Sequence, residues 1–267
     1  SHHAWHTWDG ASPRANQGSQ SDILPAVYRR LDQLIGWFDQ HRPAHSRILI
    51  VSDHGFGGAS DYAVHINRWL HEQGYLKFNE SGPRNDKLLI PTLGQAALGI
   101  LPHQLAKRSI AALPEAIKSK LLSAVRGGNI DYSQTQVFSD ELDYAPTLWL
   151  NRRSRFKAGI LDDETADSLA KEIAERITEI THPKTGQPMI ARAYQNREVF
   201  TGPSRSKGPD IVLEPGWPGG YRPSFLRSQG QGAVVRQLSV DEYCAPKGSG
   251  MPGVHHKYGV WIASGAG

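Results

Sequence analysis

Apolar and polar positions along the chain follow two rhythms. In SDILPAVYRRLDQLIGWFDQHR, residues 21–42, Leu24, Val27, Tyr28, Leu31, Leu34, Ile35 and Phe38 recur at helical spacing. This predicts an amphipathic helix, with Asp22 able to cap its start and Pro43 ending it. RILIVS, residues 47–52, is an unbroken apolar run bounded by loops, which suits a strand covered on both faces, as in a parallel sheet. A second helix is predicted over about 62–73, ending at Gly74. Further along, 146–151 reads as a strand and 162–180 as a helix. That helix has Asp162 or Asp163 as cap and Leu169, Ile173, Ile177 and Ile180 on one face. Residues 198–200, 210–215 and 260–265 read as strands. Helix and strand alternate, so the expected class is α/β, with a mostly parallel central sheet flanked by helices.

Residues 80–130 break the pattern, with Gly, Pro and two helical stretches at about 102–112 and 115–126. Lys107, Arg108, Lys118, Lys120 and Arg126 outweigh the single Glu115 there. This segment is expected to be a helical insertion, either a lid that attracts an anionic substrate or simply a solvated face. The predicted organisation is residues 1–79 as the first part of the core, 80–130 as the insertion, and 131–267 as the rest. An accessory lobe is expected around 182–245.

The chain has 267 residues, enough for a substantial core. No apolar run approaches the roughly 20 residues that span a bilayer. The formal charge of +4 is mild for this length, and no dense basic block interleaved with aromatics predicts binding to a nucleic-acid polymer. The lone Cys244 excludes an internal disulfide and a multi-cysteine zinc site, and it fits a reducing cytoplasm. The chain opens at Ser1 without a leader-like segment, as a fragment or processed form would.

Three clusters carry candidate chemistry. Asp53-His54-Gly55 follows the 47–52 run, and the C-terminal end of a strand in an open α/β sheet is where ligands bind. The pair reads equally as metal ligands or as a turn-capping Asp beside a surface His. Gly55, Gly57 and Gly58 read as positions where the backbone turns and approaches a ligand. In SHHAWHTWD, His2 and His6 are four apart, a spacing that places both on one helix face and suits a metal. The alternative is the remnant of an added histidine tract. His255 and His256 precede the last strand, where a histidine is either a ligand or solvated. Together, His2, His6, Asp53, His54 and His255 would supply five of the donors that a two-metal site requires.

ILIVSDHGFGG…VHINRWLHEQGYL resembles the alkaline phosphatase superfamily, and within it the type I phosphodiesterase/nucleotide pyrophosphatase-like phosphohydrolases. SHHAWHTWD, IDYSQTQVFSDELDYAPTLWLN, HPKTGQPMIARAYQNREVFTGP with KGPDIVLEP, and GVHHKYGVWIASG resemble further segments of that family in the same order. The resemblance implies hydrolysis of a small phosphorylated substrate with two divalent ions, zinc first, with manganese or magnesium as alternatives. By position, His2, His6 and His255 would hold one ion and Asp53 and His54 half of the other, while His256 falls on a non-ligand position. His2 departs from an aspartate norm, making the site more positive. The family's Thr or Ser nucleophile would lie upstream of Ser1. The chain then corresponds to the C-terminal two thirds of such an enzyme, with the upstream segment as a partner. Sulfatase, phosphonate hydrolase or phosphomutase activity on the same fold is the alternative, as is a metal-binding module without catalysis.

Overall fold

The computed structural model describes residues 2, 4–15, 22–79, 130–228, 231–243 and 252–265. The expected helices at 102–112 and 115–126 lie outside these. In chain order come α1 (Trp5–Trp8), α2 (Ile23–His41), β1 (Ile48–Val51), β2 (Gly55–Val64), α3 (Ile66–Glu72), β3 (Val137–Phe138) and β4 (Thr147–Leu150). Then follow α4 (Asp163–Arg176), β5 (Ile190–Gln195), α5 (Asn196–Val199), β6 (Ile211–Pro215) and β7 (Arg222–Phe225). The last are β8 (Val235–Gln237), α6 (Val240–Tyr243), β9 (Gly253–His256) and β10 (Trp261–Ser264).

Three sheets form among the described residues. One orders β3-β4-β6-β5, all antiparallel. A second orders β7-β2-β8 with β9 also on β2, and there only β2 and β7 run parallel. The third is the antiparallel pair β1-β10. The class is mixed α/β, but the strand pairing is mostly antiparallel, which corrects the expectation of a mostly parallel sheet. That expectation rested on the 47–52 run being covered on both faces. Instead Leu49 and Val51 remain 58% and 60% exposed, and the β10 partners Trp261 and Ile262 are exposed too.

The core lies elsewhere. It gathers Val64, Ile66, Leu70, Leu148, Leu150, Ile173, Ile177 and Ile211 from β2, α3, β4, α4 with the turn after it, and β6. Helix α4 forms as the sequence predicts. The Asp162 carboxylate accepts from Thr165 N at 2.8 Å, acidic Asp163 and Glu164 occupy its first turn, and Ala166, Ala170 and Ile173 are buried at helical spacing. It tightens to a 3₁₀ turn at Ile177–Glu179 before the predicted end.

Other expectations shift. The predicted start of α3 at 62 is displaced, because Tyr62, Ala63 and Val64 pair with β8, and Ala63 and Val64 also with β7, and so extend β2 instead. Gly74, at φ +81°, ends that helix as expected. Residues 198–200 are not a strand. Glu198 reaches back to the Gln195 N–H at 2.7 Å and closes a capping box that folds the single turn α5. Asp22 precedes α2 without a side-chain cap bond, and of α2 only Leu24 is buried. Phe78 and Ile130 form an isolated antiparallel bridge, so the chain leaves and re-enters the core at adjacent points around 80–129.

Candidate functional site

The site is built on the antiparallel register of β2 with β9, which sets Gly55 opposite His256 and Phe56 opposite His255. Two turns that are remote in sequence thereby meet. The His54 ring stacks on His255 with centroids 3.9 Å apart, and the His2 ring lies 5.0 Å from His255. Asp53 sits beside them, with Oδ2 3.6 Å from His54 Nε2.

Backbone carbonyls orient two of the rings. His2 Nδ1 lies 2.7 Å from Gly253 O and His54 Nδ1 lies 2.7 Å from Gly55 O. Since a carbonyl only accepts, each Nδ1 donates its hydrogen to the backbone, the orientation found in metal-ligating histidines. Burial, with His54 and His2 next, holds the His255 ring below its ordinary pKa, so neutral imidazole is favoured.

His6 stands apart. Helix α1 starts at Trp5, so His2 and His6 do not share a helical face, and that expectation is corrected. Among the described residues no hydrogen bond or ring contact links His6 to the other four. Its Nδ1 is buried without a partner, and burial lowers its pKa. Of the five residues singled out by sequence, the structure therefore brings together His2, Asp53, His54 and His255. Their donor chemistry suits a zinc-type ion. Their rings stack rather than converge on one point. Among the described residues no three His, Cys, Asp or Glu side chains are gathered closely enough to hold a metal ion.

The two serines nearest the cluster are committed to the backbone. Ser52 Oγ accepts from Val260 N at 2.6 Å. Ser60 is buried and its Oγ accepts from Tyr62 N at 3.2 Å. Neither is placed as a free nucleophile.

The glycines have a different role from the one expected. Gly55, Gly57 and Gly58 are strand residues without positive φ. A Cβ on Gly57 would meet the Trp217 ring at 2.6 Å, and one on Gly58 would meet Trp5 Nε1 at 2.6 Å and the Tyr221 ring at 2.7 Å. Gly57 and Gly58 are small so that aromatics can lie on the strand, and Gly55 so that the Tyr258 backbone carbonyl can approach it.

Sequence reading missed the result, an open cleft of about 400 Å³ next to the histidines. Trp217 and Tyr221 bracket the WPGGY turn that covers it, and this turn was the available signal. His256, assigned no ligand role, also lines the cleft, with its ring 4.8 Å from Trp217.

A family model, type I phosphodiesterase/nucleotide pyrophosphatase, matches residues 6–218. This range contains Asp53 and His54 and ends before His255. No curated protein and no solved structure matches the chain.

Proposed function

The chain belongs to the type I phosphodiesterase/nucleotide pyrophosphatase family, within the alkaline phosphatase superfamily, and from that premise we propose that it carries the metal-binding part of a phosphate-ester hydrolase. The family points to hydrolysis of phosphate esters and is typically metal-dependent. The observation that carries the reading is the meeting of His2, His54 and His255 from three remote segments, with Nδ1 of two of them held by backbone carbonyls.

In this reading His2, Asp53, His54 and His255 hold divalent metal, zinc first, with His6 joining them as a further donor. When bound, such ions supply positive charge against the non-bridging oxygens of a phosphoryl group and lower the pKa of a coordinated hydroxyl or water. The chain's own residues do the rest. The carbonyls of Gly253 and Gly55 orient the His2 and His54 rings through Nδ1. Phe56, whose ring lies 4.8 Å from His2 in an edge arrangement, packs against the cluster. With Ser52 and Ser60 committed to structural bonds, the hydroxyl nucleophile is expected from outside the described residues, on an upstream segment acting with this chain. Zinc and the two-ion stoichiometry belong to this proposal, as does the small phosphorylated substrate.

The test is zinc content by elemental analysis after equilibration with zinc, with His54→Ala and His255→Ala alongside. One to two ions per chain are expected, with at least one lost in each variant. Hydrolysis of bis(p-nitrophenyl) phosphate, assayed together with the upstream segment, should follow the bound metal. A wild-type chain that retains no zinc overturns the reading.

A further inference from the structure

Helix α2 stands almost clear of the body. Of its 19 residues only Leu24 is buried. Along it Leu24, Tyr28, Leu31, Ile35 and Phe38 recur in alternating steps of four and three, the spacing that keeps one seam turned toward a partner helix. In heptad terms Tyr28 and Ile35 stand at a, and Leu24, Leu31 and Phe38 at d. Val27 and Leu34 fall at the adjoining g positions and widen the seam. Leu24 is covered by its own chain, so the free seam runs from Val27 to Phe38. Its six apolar residues are between 37% and 64% exposed.

Area and charge say what fits this seam. The six residues expose roughly 600 Å² per chain, so two copies that cover them bury on the order of 1,200 Å², the lower bound of a specific interface. A helix that lies on a membrane carries an excess of Lys and Arg on its polar face. In α2, Arg29 and Arg30 are balanced by Asp32 and Asp39. The acids occupy both e positions beside the seam. Arg30, at c, stands one turn from Val27 and from Leu34 on the opposite flank. In a parallel pair the e flank of one helix faces the g flank of the other, so Asp32 and Asp39 approach Arg30 of the copy. An antiparallel pair sets e against e and brings the aspartates toward their own copies. Asp39 also meets Arg42 of its own chain at 3.0 Å, in an exposed pair that leaves the carboxylate open to a second cation. Ile at a with Leu at d, as Ile35 and Leu31 provide, favours two parallel strands.

We propose that α2 pairs with α2 of a second copy of this chain as a parallel two-stranded coil, giving a two-fold symmetric dimer. Tyr28, Leu31, Ile35 and Phe38 each meet their own counterpart across the axis. The buried area is at the low end for specific association, so the pairing is reversible, with a dissociation constant on the order of micromolar. Below that concentration α2 is left to solvent. The dimer goes beyond the hydrolase reading and does not rest on it.

The experiment is sedimentation equilibrium of the chain from about 1 to about 100 μM, where a monomer–dimer equilibrium is expected. Leu31→Asp, at an exposed position that the core does not use, should weaken pairing at least about tenfold and leave the circular dichroism unchanged. Asp32→Lys with Asp39→Lys should weaken it about tenfold, and adding Arg30→Glu should restore most of that loss. Orientation is read by cross-linking in a Cys244→Ser background. Tyr28→Cys should give a disulfide-linked dimer on mild oxidation, while Arg29→Cys, at the outer face, should not. A chain that stays monomeric throughout, including one that instead takes up phosphatidylglycerol vesicles through this face, overturns the proposal. So does a dimer indifferent to Leu31→Asp. A dimer in which Tyr28→Cys links only to Phe38→Cys, as an antiparallel pair would, overturns it as well. Zinc binding by the same chain is expected whether or not it pairs, so the two readings fail separately.

Discussion

Arg236 and Glu242 face each other with two short bonds, Nη1 to Oε2 at 2.9 Å and Nη2 to Oε1 at 2.6 Å. The same carboxylate accepts from Ser239 N at 2.9 Å, and Arg236 Nε donates to His65 Nε2 at 3.1 Å. The Arg236 guanidinium, with the Ser239 amide, depresses the Glu242 pKa to about 2 from an ordinary 4.5. A carboxylate depressed on folding contributes stability that is complete above its unfolded pKa and disappears as pH falls through the folded one. Wild type should therefore lose stability steadily between about pH 4.5 and pH 2, and Glu242→Gln should flatten that part of the profile. Urea denaturation at pH 7 and pH 3 checks this, and equal pH slopes in the two proteins would sink it. None of this was legible in the sequence, because Arg236 and Glu242 meet only after β8 and α6 are in place. Asp162, by contrast, was legible, since its cap bond spans three residues. Of the site, His2, Asp53, His54 and His255 could be named from motifs, but which of them meet depends on the β2–β9 register. His2 and His6 show the cost of reading spacing alone, since four residues apart means one face only if a helix spans both.

Between elements, Asp210 ties several segments together. Its side chain is 3% exposed and accepts from Leu150 N at 2.9 Å, Arg152 Nε at 2.8 Å and Arg155 Nη1 at 2.6 Å. Arg152 passes the link to α4 through Asp163 and Asp167. Removing one partner of such a buried set leaves charge without compensation. Asp210→Ala should cost about 3–5 kcal/mol in urea unfolding, whereas Asp167→Ala, at the exposed rim of the same network, should leave the midpoint nearly unchanged. Matching losses in both would mean that the network acts through its surface charges. Elements with apolar rhythm, α4, β4 and β6, were readable at nearly their true bounds. Those with polar sequences were not. β7 reads Arg-Pro-Ser-Phe and is wholly buried, because Asp143 satisfies Arg222 and accepts from Phe225 N at 2.7 Å. Asn67 in α3 was visible only as part of a motif. Its side chain exchanges two bonds with the Ser139 backbone, at 2.7 and 2.8 Å, which makes it a structural clasp.

Among the described residues, apolar burial is uneven. The core draws on β2, α3, β3, β4, α4, β5, β6 and β7 and takes nothing from α2, β1 or β10. Of the apolar stripe of the predicted amphipathic helix, Leu24 is buried, while Val27, Tyr28, Leu31, Leu34, Ile35 and Phe38 are all at least 37% exposed. The helical rhythm correctly gave a helix and could not give its cover, since periodicity defines a face without naming what packs on it. Local stability follows burial, and segments with few buried apolar groups open at a lower free energy than the core does. Amides of α2, β1 and β10 should therefore exchange well before those of β4, β6 and α4 in hydrogen-exchange mass spectrometry under native conditions. Protection of α2 and the β1–β10 pair equal to that of β4 would refute this ordering. If that protection also fell on dilution, it would show that these apolar faces are covered by self-association rather than left to solvent.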